Sequence, residues 1–226
     1  MHSVLMLTVA GVSAFATAAL AQAPAAVIED VKGNVSGVEF MDYVAPGKVI
    51  KLGPQDSIVI GYMKSCWRES IVGGTVIVGT EQSVVHHGDV SRHRVACDAG
   101  RIQLTDKEAS QSAATSFRSI EVSHSTLQPV AEPQITIHGL SPVVEVKSGG
   151  ALVIKRLDGK GERREIAIDA RTLVQGKFYD FATSRISLHP GGNYVASLGS
   201  RRTFFKVDPQ AKAGATPIIG RLVRLD

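Results

Sequence analysis

Residues 47–83 read GKVIKLGPQDSIVIGYMKSCWRESIVGGTVIVGTEQS, and their apolar residues recur mostly with a period of two. Val, Ile and Thr dominate these short runs, and glycines separate them. β-branched side chains fit a pleated strand, whereas glycine permits the tight turns that connect strands. The stretch therefore predicts antiparallel strands at Lys48–Leu52, Ser57–Tyr62 and Thr75–Val78.

The same pattern continues on both sides of this stretch and predicts an all-β chain. In the first half it predicts further strands at Val27–Val31, Val35–Phe40 and Val90–Val95. In the second half it predicts strands at Gln134–His138, Val143–Lys147, Ala151–Leu157, Glu165–Ile168, Lys177–Phe181, Tyr194–Leu198, Thr203–Val207 and Ile218–Leu225. About eight short strands in so few residues are typical of a β-sandwich.

One segment breaks the β pattern. Residues 105–114 read TDKEASQSAA, in which Thr105 and Glu108 have the spacing of a helix capping box. The sequence therefore predicts one short helix there. Residues 123–133 are polar and contain two prolines, which predicts a linker between an N-terminal β domain (27–122) and a C-terminal sandwich (134–226).

The N-terminal residues predict export. Val4–Leu20 is apolar or small, no charged side chain occurs before Glu29, and Ala19-Leu20-Ala21 resembles a cleavage site. We expect residues 1–21 to be a secretory signal peptide, although its usual positive start is missing. A retained membrane anchor is the alternative. We expect no membrane span in the mature chain and a periplasmic or secreted location.

The formal net charge is +4, which allows weak attraction to anionic polymers of the cell surface. The basic residues form no dense run interleaved with aromatic ones, so we do not expect nucleic-acid binding. Arginine pairs in the second half are interpreted either as a basic face for an acidic partner or as charges that protect sheet edges. These residues are Arg163-Arg164, Arg201-Arg202, Arg221 and Arg224.

The chain has two cysteines, Cys66 and Cys97, and exported compartments oxidise thiols. The sequence predicts a disulfide between them. In the chain-entropy model, closing this loop stabilises the fold by roughly 3–4 kcal/mol. A reactive thiol is the alternative, but no Cys-x-x-Cys motif accompanies either residue. Trp67 is interpreted as an aromatic residue packed beside the bridge.

Four residues of the opening stretch follow a family pattern. Leu52, Asp56, Ile58 and Gly61 have the order Leu-x-x-x-Asp-x-Ile-x-x-Gly, and Gly74 falls where a turn glycine is expected. In this arrangement the stretch resembles the FecR-like domain of bacterial envelope proteins. The resemblance implies a small periplasmic β domain. It covers about a sixth of the chain, and the cysteines and Trp67 are not part of the pattern.

A second resemblance concerns residues 188–194, LHPGGNY. Leu188, Pro190, Gly191 and Tyr194 resemble the Leu-x-Pro-Gly-x-x-Tyr corner of fibronectin type III and related immunoglobulin-like domains. In that family the tyrosine begins a strand and its hydroxyl bonds back to nearby backbone. The resemblance implies an immunoglobulin-like second domain, with a generic turn as the alternative, and specifies no activity.

The sequence contains no nucleophile elbow, zinc-protease helix motif, phosphate-binding loop or dinucleotide-binding fingerprint. His86, His87, Asp89 and His93 are the sharpest metal candidates, but neighbouring residues of an extended strand point to opposite faces. We therefore expect neither a metal nor a cofactor.

Three functions remain open. The leading hypothesis is a non-catalytic exported module that binds or scaffolds envelope proteins or anionic cell-surface polymers. The alternatives are a periplasmic enzyme whose site is assembled from distant residues, and a surface assembly in which a sheet edge accepts a partner strand.

Overall fold

The computed structural model describes residues 23–99, 133–146, 149–159 and 161–225, and these are almost entirely strands and turns. The prediction of an all-β fold is therefore confirmed. The predicted signal segment (1–21), the predicted helix (105–114) and all of the predicted linker except Pro133 lie outside the described residues.

We call residues 23–99 the first unit. Its described strands are β1 (Ala26–Lys32), β2 (Tyr43–Val44), β3 (Val49–Tyr62), β4 (Trp67–Ile77), β5 (Val84–His86) and β6 (Asp89–Arg94). They form one antiparallel sheet in the order β2-β1-β3-β4-β5, and β6 pairs with the other end of β4. Alternate residues of β3 and β4 point inward and form the core of this unit, which includes Ile50, Ile58, Ile60 and Ile71.

Three predicted strands of this unit differ from the structure. Lys48–Leu52 and Ser57–Tyr62 belong to the single strand β3, whose register against β4 shifts between Leu52 and Ser57. The Asp56 carboxylate holds this bulge, since it accepts hydrogen bonds from the backbone of Gly53 (2.9 Å) and Asn34 (3.1 Å). The predicted strand Val35–Phe40 is a series of bends and turns.

The described residues from 133 to 225 form the second unit. Its strands are β7 (Ile135–Gly139), β8 (Val143–Glu145), β9 (Gly150–Arg156), β10 (Arg163–Ile168), β11 (Phe178–Asp180), β12 (Asn193–Leu198), β13 (Arg201–Lys212) and β14 (Leu222–Arg224). One sheet has the order β10-β9-β12-β13-β7 and the other the order β11-β8-β14. Both contribute to one apolar core, in which Ile154 and Phe205 of the first sheet join Val144 and Val223 of the second.

A third apolar cluster, which we call the seam, joins the two units. The first unit contributes Val27, Met41 and Met63, and the second contributes Phe178 and Ile219 among others. All five side chains are at most 1% exposed, so the seam is as dry as the interior of either sheet. The units are therefore packed together through a core of their own.

Buried polar contacts cross the seam as well. The Glu29 carboxylate accepts hydrogen bonds from the Ile219 backbone N–H (2.9 Å) and from Arg68 Nε (2.7 Å). The Tyr43 hydroxyl donates to Glu145 Oε2 over 3.0 Å. Burial, reinforced by the Glu145 charge, raises the pKa of Tyr43, which keeps this hydroxyl a neutral donor.

Candidate binding groove between the two units

The disulfide between Cys66 and Cys97 is present, as predicted. It ties the turn between β3 and β4 to the strap, which we define as residues 95–98. The Val95 backbone N–H also donates to the Cys66 carbonyl over 3.0 Å. At its other end the Asp98 carboxylate accepts a hydrogen bond from the Thr136 N–H of β7, over 2.7 Å. The strap therefore fastens the first unit to an edge strand of the second.

A groove of about 510 Å³ opens beside the strap. Val95 and Ala96 of the strap form one wall, and β7, the end of β13 and the chain after it form the rest. The residues that line it are Val95, Ala96, His138, Asp208, Gln210, Ala211, Lys212, Thr216, Pro217 and Gly220. Both units thus contribute to one concave surface, the usual setting of a ligand site.

The groove exists because β13 bulges away from β7. Ile137 pairs with Val207 and Gly139 pairs with Lys212, so β13 advances five residues where β7 advances two. Pro209 lies within the bulge and has no N–H to donate to a ladder. The four residues 208–211 have no ladder partner on β7, and the space they leave becomes the groove.

Titratable and polar side chains meet at this bulge. His138 Nδ1 lies 3.2 Å from Asp208 Oδ2, and both side chains are partly exposed in the groove. The other Asp208 oxygen accepts a hydrogen bond from the Gln210 N–H over 2.6 Å. Each oxygen of the Asp208 carboxylate therefore has a polar partner.

Arg221 supports the far wall from beneath. Its guanidinium donates to Asp180 Oδ1 (2.6 Å), to the Ser141 carbonyl (2.9 Å) and to the Thr216 carbonyl (2.9 Å). Only 3% of its side chain is exposed, which makes this a buried ion pair that fixes the backbone around Thr216. Arg221 is therefore not part of a free basic face.

Thr216 is the unusual residue of the groove. Its hydroxyl is buried and finds no hydrogen-bond partner in the described part of the chain. It packs against Gly139 so closely that a Cβ at that position would collide with the Thr216 Oγ1. Buried hydroxyl groups are normally satisfied, so Thr216 is an exception among the described residues.

The predicted tyrosine corner has the following geometry. Tyr194 is the second residue of β12 and is fully buried, and its hydroxyl accepts a hydrogen bond from the His189 N–H over 3.0 Å. The same hydroxyl donates to Glu162 Oε2 over 2.8 Å. Leu188 is buried beside it, while Pro190 and Gly191 form the turn, in which Pro190 is exposed and Gly191 is half-buried. None of these corner residues is among the residues that line the groove.

The histidine-rich segment does not form a group. His86 pairs with Thr75 and His93 pairs with Arg68, so these two histidines lie about 20 Å apart along β4. His87 and Asp89 flank the turn between β5 and β6 and are exposed. Among the described residues no three His, Cys, Asp or Glu side chains are placed to hold a metal ion.

The sequence does not predict the groove, because the polar residues of the groove are far apart in the chain. His138, Asp208 and Thr216 meet only through the pairing of β7 with β13 and the turn that follows. The one available signal was Pro209, which interrupts a β pattern at the end of the predicted strand Thr203–Val207.

Comparisons with protein-family models, with curated proteins and with solved structures give no significant match for this chain. The described residues contain no helix long and apolar enough to cross a membrane.

Proposed function

We propose that the chain is an exported, non-catalytic binding module of the bacterial envelope, and that the groove is its binding site. The observation that carries this proposal is that both units build the groove and that the seam, the strap and the disulfide hold its walls. A site on such a fixed scaffold loses little conformational freedom on binding. The disulfide is consistent with an oxidising compartment.

Strand order supports an immunoglobulin-like second unit. If β7 to β13 are read as successive strands, β9, β12 and β13 are neighbours, as are strands C, F and G of that fold. Strands β8 and β11 pair as strands B and E do, and Tyr194 stands at the start of the sixth strand. β14, parallel to β8, is an addition to this arrangement.

The first unit supports the FecR-like resemblance at the level of residue roles. Leu52 and Ile58 point into the core of the sheet, Asp56 holds the bulge between them, and Gly61 packs against the buried Glu29. We propose this kinship for the β domain alone and carry no signalling role over from it.

The test is affinity capture on the immobilised protein from envelope extracts of the source organism. Ala96 is exposed in the groove wall, so Ala96→Trp fills the groove without disturbing a core. Ala99→Trp is the matched control, because Ala99 is exposed on the same segment but does not line the groove. We expect a set of captured partners that Ala96→Trp loses and Ala99→Trp keeps. Identical capture by all three proteins would argue against the groove as the binding site.

A second candidate function is hydrolysis. The His138–Asp208 pair lines the groove, and its two residues come from distant parts of the chain, as the residues of an assembled catalytic site do. A saturable activity on ester, amide or glycoside substrates that His138→Ala abolishes would favour this function over the binding module.

A third candidate, strand addition at a sheet edge, has weaker support. β10 is an edge strand, but Arg163, Arg164 and Glu165 are exposed along it. Charges of this kind protect an edge from pairing with other chains.

A further inference from the structure

The sheet β10-β9-β12-β13-β7 has one face that points away from the core of the second unit. Successive residues of a strand point to opposite faces, and residues that stand opposite each other in a ladder share a face. Ile154, Ala196 and Phe205 point into the core, so their neighbours along β9, β12 and β13 point outward. We call six of the outward residues the outer face: Arg163, Lys155, Val195, Arg202, Phe204 and Lys206.

Three of the four cations of the outer face have no acidic partner. Arg163 forms an ion pair with Glu165 over 2.8 Å. Lys155, Arg202 and Lys206 are exposed, and within the described ranges they make neither an ion pair nor a side-chain hydrogen bond. The outer face therefore carries an excess of positive charge, which attracts a ligand with negative charges.

A trough runs along β12, in the middle of the outer face. Val195 and Ser197 of β12 have short side chains, whereas Lys155 on one side and Arg202 and Lys206 on the other have long ones. β9 and β13 both pair with β12, so the two walls are about 10 Å apart, and Arg202 and Lys206 are about 13 Å apart along β13. Charges at these spacings match a chain with repeated anionic groups better than one small anion.

The backbone of β12 leaves no place for a further strand, because it pairs with β9 on one side and with β13 on the other. A chain in the trough therefore contacts only side chains. An acidic peptide would have to order one flexible Glu side chain for each exposed ion pair, which costs more conformational entropy than such a pair returns. A uronic-acid polymer carries its carboxylates on rigid rings and avoids this cost. The half-buried Val195 and Phe204 also give its rings an apolar surface to pack on.

We propose that the outer face binds a linear acidic polysaccharide of the cell envelope, of the uronic-acid class. The polymer lies along β12, and its carboxylates contact the ammonium groups of Lys155 and Lys206 and the guanidinium group of Arg202. Asp208, which follows on β13, is bonded to His138 and does not neutralise these cations. The inference shares the envelope location with the proposed function but not the groove, because no residue of the outer face lines the groove.

The test titrates decagalacturonate into the isotope-labelled full chain and follows the amide resonances by NMR. Fully methyl-esterified decagalacturonate is the uncharged ligand with the same backbone. We expect the acidic form to shift the resonances of Val195, Ser197 and Phe204, and the esterified form to bind at least about tenfold more weakly, because it loses three ion pairs. Binding of the acidic form should weaken as salt rises from about 0.02 M to about 0.2 M, because exposed charges are screened.

Variants locate the contact. Lys155→Gln and Lys206→Gln should each weaken binding of decagalacturonate about threefold, and the triple variant that adds Arg202→Gln should weaken it about thirtyfold. Lys177→Gln is the matched control, because Lys177 is an exposed lysine of the same unit that directly precedes β11 of the other sheet. We expect this control to bind decagalacturonate like the unmodified chain. A urea midpoint equal to that of the unmodified chain checks that each variant is folded.

Equal binding of the acidic and esterified forms, no binding of either, or shifts confined to residues outside the outer face and the trough would overturn the inference. So would tighter binding of decaglutamate or of a thymidine decanucleotide, since these carry similar numbers of negative charges on a peptide or a phosphodiester backbone. Ala96→Trp, which fills the groove, should leave binding of decagalacturonate unchanged, so the outer face and the groove can fail separately as binding sites.

Discussion

The described part of the chain buries four charged residues, and each has a specific partner: Glu29, Glu69, Asp180 and Arg221. Glu69 is fully buried, where it accepts hydrogen bonds from the Ser83 N–H and from Arg92 Nε. Asp180 and Arg221 form a second pair of this kind, beneath the groove. Removing one member of such a pair costs more than the pair contributes, because the other charge is left buried without compensation.

We therefore predict that Arg221→Met lowers the free energy of unfolding by about 3–5 kcal/mol. Chemical denaturation measures the loss. Arg171→Met is the control, because the Arg171–Asp169 pair lies at the surface, and we expect no measurable change. An equal effect of the two substitutions would contradict a buried, stabilising role for Arg221.

The ionisation of Tyr194 makes the stability of the fold depend on pH. Its burial, together with its hydrogen bond to Glu162, raises the pKa of Tyr194 from 10.0 to about 12. A raised folded-state pKa stabilises the fold below pH 10, and that contribution is lost as the pH rises through about 12.

We expect Glu162→Gln to lower the pKa of Tyr194, although not to its ordinary value, because burial is the larger cause. Ultraviolet absorbance of tyrosinate against pH, assigned with Tyr194→Phe, measures the shift. Glu165→Gln, an exposed change on β10, should leave the titration where it is. An unchanged pKa in Glu162→Gln would reject the hydrogen bond as a cause.

At the scale of elements, alternation of apolar residues predicted most strands of both units. Alternation does not predict a strand correctly where a buried residue is polar or where a residue typical of turns lies inside the strand. Alternation does not predict the first half of β4, because that half contains the buried Glu69. It predicts two strands in place of β3, because Gly53 and Pro54 resemble a turn. Val35–Phe40 has the apolar residues of a strand, but Gly37 has a positive φ of 81° that bends the chain.

Gly74 of β4 has a left-handed backbone conformation and is closely packed against the chain near β5. It has a φ of +81°, and a Cβ there would collide with the backbone at His86 and Gly88. We predict that Gly74→Ala destabilises the fold by more than about 2 kcal/mol, which exceeds the cost of the left-handed backbone alone. Gly47, with a φ of +83° and no neighbour in the way, is the control. Its alanine variant should cost only about 1 kcal/mol in thermal or urea unfolding.

The strap depends on the disulfide. We expect the double variant Cys66→Ala, Cys97→Ala to lower the free energy of unfolding by about 3 kcal/mol, since it reopens a loop of 31 residues. Hydrogen exchange should also quicken at Thr136, whose N–H bonds to the strap residue Asp98, before it quickens in the middle of β3. Unchanged exchange at Thr136 would show that the strap holds without the bridge.

At the scale of the whole molecule, the sequence predicted two β units but not how they meet. The seam contains a few residues from each unit, such as Met41 and Met63 from the first and Phe178 and Ile219 from the second. Each reads as an ordinary core residue of its own segment. Only the three-dimensional arrangement shows that they share one cluster, and the same holds for the groove beside it.

The measurement that tests the seam most directly is urea unfolding followed separately in each unit. Fluorescence of Trp67, the single tryptophan, reports on the first unit, and pulsed hydrogen exchange of β12 reports on the second. We predict that both signals change at one shared urea midpoint. We expect Phe178→Ala to lower the free energy of unfolding that each signal reports by the same amount, about 3–5 kcal/mol. Two separate midpoints, or a shift of the second unit alone, would contradict the account.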